Sequence, residues 1–186
     1  MITILDKILS NFRNPTASWP QMGQQELIYD LRRRAINGYC LNSALDLARR
    51  FGKCSYVKRL GKEYLDLFYP DLGLILQFAS EELMAITVIV SPGSFHVRED
   101  KMWIGKITIT DMSGRDHSLN EGTTLKDLAS YLGEPVESSK VGDDMVHTFI
   151  LNKNYIDAYH HPVTGRLLHV EICEADETGD KVKVTC

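Results

Sequence analysis

Ser43-Ala44-Leu45-Asp46-Leu47-Ala48, closed by Gly52, returns about eighty positions later as Thr124-Leu125-Lys126-Asp127-Leu128-Ala129, closed by Gly133. The physical roles agree better than the four identities (Asp46/Asp127, Leu47/Leu128, Ala48/Ala129, Gly52/Gly133) would require. Ser43 and Thr124 are both good N-caps, and each is followed three residues later by an Asp that can answer the cap and favour the positive end of the helix dipole. Ala44, Leu47, Ala48 and Phe51 in one copy match Leu125, Leu128, Ala129 and Leu132 in the other at helical spacing, one buried stripe per helix. The glycines then supply a left-handed stop.

Working outward, both copies become strand-like. Residues 64–69, 74–78 and 83–90 in the first match 146–150, 155–159 and 167–172 in the second. Pro70 to Gly73 and Leu151 to Asn154 occupy equivalent turns, with Gly73 and Asn154 aligned as the residues that tolerate positive φ. The following turn is short in the first copy and runs from His160 to Arg166 in the second. A further strand is expected where Trp103, Gly105, Ile107 and Ile109 alternate with polar residues. Leu27 to Ala35 fits a helix at least as well as a strand.

The expected fold is therefore α+β: two tandem copies of a short helix packed on a three- to four-strand antiparallel meander. An N-terminal amphipathic helix carrying Ile4, Leu5, Ile8, Leu9 and Phe12 precedes them. The expected boundaries are 1–25 for that helix and its loop, 26–93 for the first repeat, 94–175 for the second and 176–186 for a tail, all forming one compact unit.

With 44% hydrophobic and 25% charged residues, the composition is that of a globular chain. Asp6 and Lys7 interrupt the first apolar stretch, no run approaches the length of a membrane span, and Cys40, Cys54, Cys173 and Cys186 show no CxxC spacing. The expectation is a cytoplasmic protein with reduced thiols and no membrane partner, with Cys40 a small buried residue.

Charge is uneven. Residues 1–93 carry 11 basic and 9 acidic side chains, residues 94–186 carry 10 and 16. The second half is thus the acidic one, a field that repels nucleic acid and speeds encounter with a basic protein. Glu134, Glu137, Asp143, Asp144 and Asp157 are the candidate partner-binding residues, and Tyr69, Tyr159, Trp103 and Phe95 are conceivable anchors.

Signals for chemistry are weak. His160-His161, with His147 and His169 on neighbouring strands, lack the spacing of a metal set. Cys40 and Cys54 lie in no nucleophile elbow, no GxSxG frames Ser94, and no phosphate-binding glycine loop or HExxH is present. Glu81-Glu82 and Asp143-Asp144 read as exposed acids in turns, and Arg32-Arg33-Arg34 as a solvated helix face or a contact to the acidic half. The reading is a protein with no catalytic residues, no cofactor and no metal.

The segments Arg34-Ala35-Ile36-Asn37-Gly38-Tyr39-Cys40-Leu41, the helix end at Leu47 to Gly52, and Tyr69-Pro70-Asp71-Leu72-Gly73-Leu74-Ile75-Leu76-Gln77-Phe78 resemble small uncharacterised bacterial proteins with an INGxxLG turn, a helix ending in LG and a YxxLGL strand. The resemblance covers residues 26–93 and, more weakly, 105–173. More distantly the arrangement is similar to beta-lactamase inhibitory protein and to small outer-membrane assembly lipoproteins. What the resemblance implies is an immunity protein that binds and neutralises a cognate bacterial toxin, a basic effector such as a nuclease. Two alternatives accompany it: an oligomerising or scaffold module, and an enzyme with a site between the repeats involving His160, His161 or Asp157.

Overall fold

A computed structural model describes residues 14–23, 25–40, 44–60, 64–79, 82–92 and 104–174; the N-terminal amphipathic helix expected over the first dozen residues lies outside them. The chain is mostly β, and the α+β reading of two helix-on-meander repeats does not hold. Among the described residues thirteen strands form two sheets, and the two helices, α1 (Ala44–Phe51) and α2 (Leu125–Leu132), have eight residues each.

The smaller sheet explains much of that correction. It contains β1 (Leu27–Asp30), β2 (Ala35–Ile36), β3 (Tyr39–Cys40), β8 (Ile107–Thr110) and β9 (Asp116–Leu119), in the order β3-β2-β1-β8-β9. The ambiguous stretch from Leu27 to Ala35 opens as a strand because its burial has period two: Leu27 and Tyr29 are buried whereas Ile28 is 42% exposed. Asp30 then bends the chain by accepting the backbone N–H groups of Arg32 and Arg33, so the three arginines stand in a turn and not on a helix face. Asn37 and Gly38, both at positive φ, close the β2–β3 hairpin as an Asn-Gly pair does.

The larger sheet is antiparallel throughout. Its strands are β4 (Tyr56–Leu60), β5 (Tyr64–Tyr69), β6 (Leu74–Ala79), β7 (Glu82–Ile89), β10 (Glu137–Val141), β11 (Asp144–Leu151), β12 (Asn154–His160) and β13 (Leu167–Glu174), in the order β10-β11-β12-β13-β7-β6-β5-β4. Each half of the sequence contributes to both sheets. β1 pairs in parallel with β8 (Leu27 with Ile107), and β7 pairs with β13 (Ile86 with Ile172). Burial of one face of the large sheet against the small sheet and both helices makes a single apolar core, with Leu47, Leu128, Leu76, Val88, Ile156, Leu27 and Ile109 all packed in it.

Local chemistry sets the helix ends. Thr124 accepts the N–H of Asp127, and the Asp127 carboxylate accepts the N–H and hydroxyl of Thr124, a closed capping box. Gly52 takes φ of +73° where Pro20 and Met22 press against it, so a side chain has no room. In the β11–β12 turn the positive φ falls on Asn152 and Lys153. Asn154, aligned with Gly73 in the sequence reading, instead begins β12 and accepts the Tyr29 hydroxyl at 2.7 Å, tying the two sheets together.

Candidate functional site

The acidic end of the molecule is built by β10 and its flanking turns. After α2 stops at Gly133, the chain passes through Glu134-Pro135-Val136 into Glu137-Ser138-Ser139-Lys140-Val141 and turns at Gly142-Asp143. β10 is terminal in its sheet and its side chains are nearly all exposed, so nothing in it alternates and the sequence concealed it as a strand. Glu134, Glu137 and Asp143 are exposed along this edge. Beside them stand Val136, 60% exposed, Val141, 45% exposed, and Ile150, apolar groups that the sequence reading missed.

The other two candidate acids sit elsewhere. Asp144, read as one of an exposed pair, is only 7% exposed, and burial raises its pKa above the usual carboxylate range despite the opposing pull of His161. Asp157 is 2% exposed in mid-β12, accepts the Thr148 hydroxyl at 2.8 Å, and lies across from Glu171 of β13. Three of the five acids are therefore exposed in or beside β10, and two are built into the sheet.

The proposed anchors divide similarly. Tyr69 is a core residue whose hydroxyl reaches the Ala48 carbonyl, and burial raises its pKa. Tyr159 is buried and stacked on His169 at 3.9 Å. Trp103 and Phe95 fall outside the described residues.

The histidines occupy separate settings. His160 is buried, 3.3 Å from the Thr123 carbonyl, with His147 edge-on at 5.3 Å, and burial depresses the pKa of both rings. His161 accepts the N–H groups of Val163 and Thr164, holding its own loop. Among the described residues no three His, Cys, Asp or Glu side chains converge as a metal set. Cys40 is exposed, against the expectation of a buried residue, while Cys54 and Cys173 are buried.

A polar cavity of about 320 Å³ lies beside α2, lined by His117, Asn120, Asp127, Ser130 and Tyr131 among others. Asp111 holds His117 Nε2 at 2.9 Å, and hydrogen bonds from Ser113 first, then His117 and Arg115, hold that carboxyl well below the usual range. The His117 ring stacks on Tyr131 at 4.0 Å. Ser118, next in sequence, also lines the cavity, and its hydroxyl is 2.8 Å from that of Thr108. Arg32 and Arg33 both reach Asp30, and Arg50 lies over the Tyr39 ring.

No family model matches the chain. A search of curated proteins returned no match either. Among solved structures, the chain is similar to a DUF4309 family protein from Bacillus subtilis, at 14% identity and a TM-score of 0.47 over 75% of this chain and 84% of that one. It is also similar to an extracellular protein containing a SCP domain from Bacillus anthracis, at 14% identity and a TM-score of 0.44 over 73% of this chain. A cysteine-rich secretory protein from Staphylococcus aureus aligns at 14% identity and a TM-score of 0.44 over 70% of this chain. The chain spans 43% and 42% of those last two proteins. None of the three is described as an immunity protein.

Proposed function

We propose that this protein is a binding module that captures a basic protein on the acidic end of its larger sheet. A toxin effector domain in the cytoplasm is the partner that the sequence resemblance implies. The observation that carries the reading is the edge strand β10, where exposed Glu134, Glu137 and Asp143 flank exposed Val136 and Val141. The acids steer a basic partner to the edge, and the valines, with Ile150, give it apolar area to bury once it arrives. Asp144 and Asp157 contribute to the sheet and not to the contact.

Pull-down of the tagged chain from its native lysate at low and high salt tests this. A stoichiometric basic protein, lost more readily at high salt, is the expected result. Replacing Glu134, Glu137 and Asp143 with Lys is expected to slow its association by at least about tenfold. Unchanged capture by that variant, with the fold intact by circular dichroism, removes the edge from the model.

One observation favours a second reading. His117, positioned by Asp111 at the wall of a polar cavity, is a group able to bind or shuttle a proton on a small polar ligand. A screen of small polar compounds by thermal shift, repeated on His117→Ala, separates the two readings: a compound that stabilises only the native chain supports the cavity.

A further inference from the structure

Both edges of the larger sheet are free among the described residues, and they differ in sign. β10 at one end presents Glu134, Glu137 and Asp143 against one Lys140; β4 at the other presents Lys58 and Arg59. Arg59 Nε is buried with no hydrogen-bond partner. Each strand has five residues. Each also carries an exposed apolar side chain, Tyr56 at 39%, stacked on Phe68, and Val141 at 45%.

Direction permits the pairing of unlike edges. All seven pairings in the sheet are antiparallel, so the first and last of its eight strands run in opposite directions. A second copy set beside the first in the same orientation brings its β10 antiparallel to β4, and the alternation continues without interruption. Register is constrained too, because a slip of one residue would exchange the two faces of the sheet. Tyr56, Lys58 and Asp66 lie on the same face as Glu137, Ser139 and Val141 when followed strand by strand across the ladder. Setting Tyr56 opposite Val141 places Lys58 opposite Ser139, with Glu137 diagonally across within reach of the lysine.

Pairing two β10 edges, or two β4 edges, would line up like charges along one seam. Lysine on an edge strand ordinarily discourages strand addition. Here charge of opposite sign on the two edges discourages like-with-like pairing and favours unlike pairing. We propose that a second copy of this chain docks its β10 edge on the β4 edge of the first, a heterologous head-to-tail contact that extends the antiparallel sheet. Such a contact has no two-fold axis and repeats from copy to copy, giving short linear assemblies or a ring. The inference stands whether or not the acidic edge also takes a foreign basic protein, because the purified chain alone reports it.

Sedimentation velocity of the full chain over a concentration series tests it, with Lys58→Glu and Glu137→Lys as the two variants. The native chain is expected to assemble with concentration, less so in high salt. Each variant alone opposes like charges at the seam, and its association is expected to weaken by at least about tenfold. Mixed in equal amounts, each variant meets a complementary edge on the other: one seam carries the native pair of charges, the next carries the same pair reversed, and assembly is expected to return. A variant that had merely misfolded would not be rescued by mixing. A native chain that stays monomeric near 1 mM, where a contact worth about 4 kcal/mol is half populated, overturns the proposal. So does a closed dimer indifferent to both reversals, or a mixture that fails to assemble.

Discussion

The hydroxyl of Tyr29 and the amide of Asn154 form a polar tie between the two sheets, both residues being fully buried. Asn154 Oδ1 accepts the Tyr29 hydroxyl at 2.7 Å, while its Nδ2 donates to the Leu151 and Asn152 carbonyls at 3.0 and 3.3 Å. Tyr29→Phe deletes one donor and leaves the amide oxygen without it in the interior, at an expected cost of about 2 kcal/mol. In a chain of this size each kcal/mol moves the midpoint by roughly 2–4 °C, so Tm should fall by roughly 4–8 °C. Asn154→Ala removes all three bonds and should cost about 3–4 kcal/mol. The double variant is the sharper assay. Once Asn154 is gone the tyrosine hydroxyl has lost this partner, so removing it costs less, and the pair should couple by about 1–2 kcal/mol in a denaturation cycle. Additivity within about 0.3 kcal/mol, or a Tyr29→Phe variant as stable as the native chain, would refute the inter-sheet bond.

Thr124→Ala opens the capping box of α2 and should cost about 1 kcal/mol, read as a fall of roughly 2–4 °C in Tm. Gly52→Ala places a Cβ against the Pro20 carbonyl oxygen at a backbone φ of +73°; it should destabilise by about 1–3 kcal/mol and raise the urea sensitivity of the fold. Burial depresses the pKa of His147 and His160, so between the folded and unfolded values the unfolded chain binds more protons. Stability should therefore fall as pH is lowered from about 7.5 to about 5.5, and replacing both histidines with Gln should flatten urea midpoints across that window.

Where the chain is half-buried and regular, its sequence was informative. Thr124 and Asp127 do close a capping box, and Ile107 and Ile109 do fall in a strand. The errors cluster where side chains face water or where tertiary pairing overrides propensity. β10 reads Glu-Ser-Ser-Lys-Val because an edge strand has little to bury, and β9 reads Asp-His-Ser-Leu for a similar reason. β1 is a strand because β8 pairs with it, a partner about eighty positions away that no local pattern announces. That second sheet is what turned an expected α+β protein into a mostly β one. The acids were visible as a group, but separating Asp143 from Asp144 required the turn, which leaves Asp143 exposed at its tip while Asp144 opens β11 and is buried. His117 went unnoticed because Asp111, its partner, approaches across a turn.

The two seams that join the halves of the chain, β1 to β8 and β7 to β13, also set the order in which a nascent polypeptide can complete itself. Leu27 waits for Ile107, and Ile86 waits for Ile172. A ribosome adding about 5–20 residues per second delivers those partners several seconds late, while β1 and β7 stand as unpaired edges. Until the second half is made, the first half of this protein therefore carries strand edges whose native partners do not yet exist.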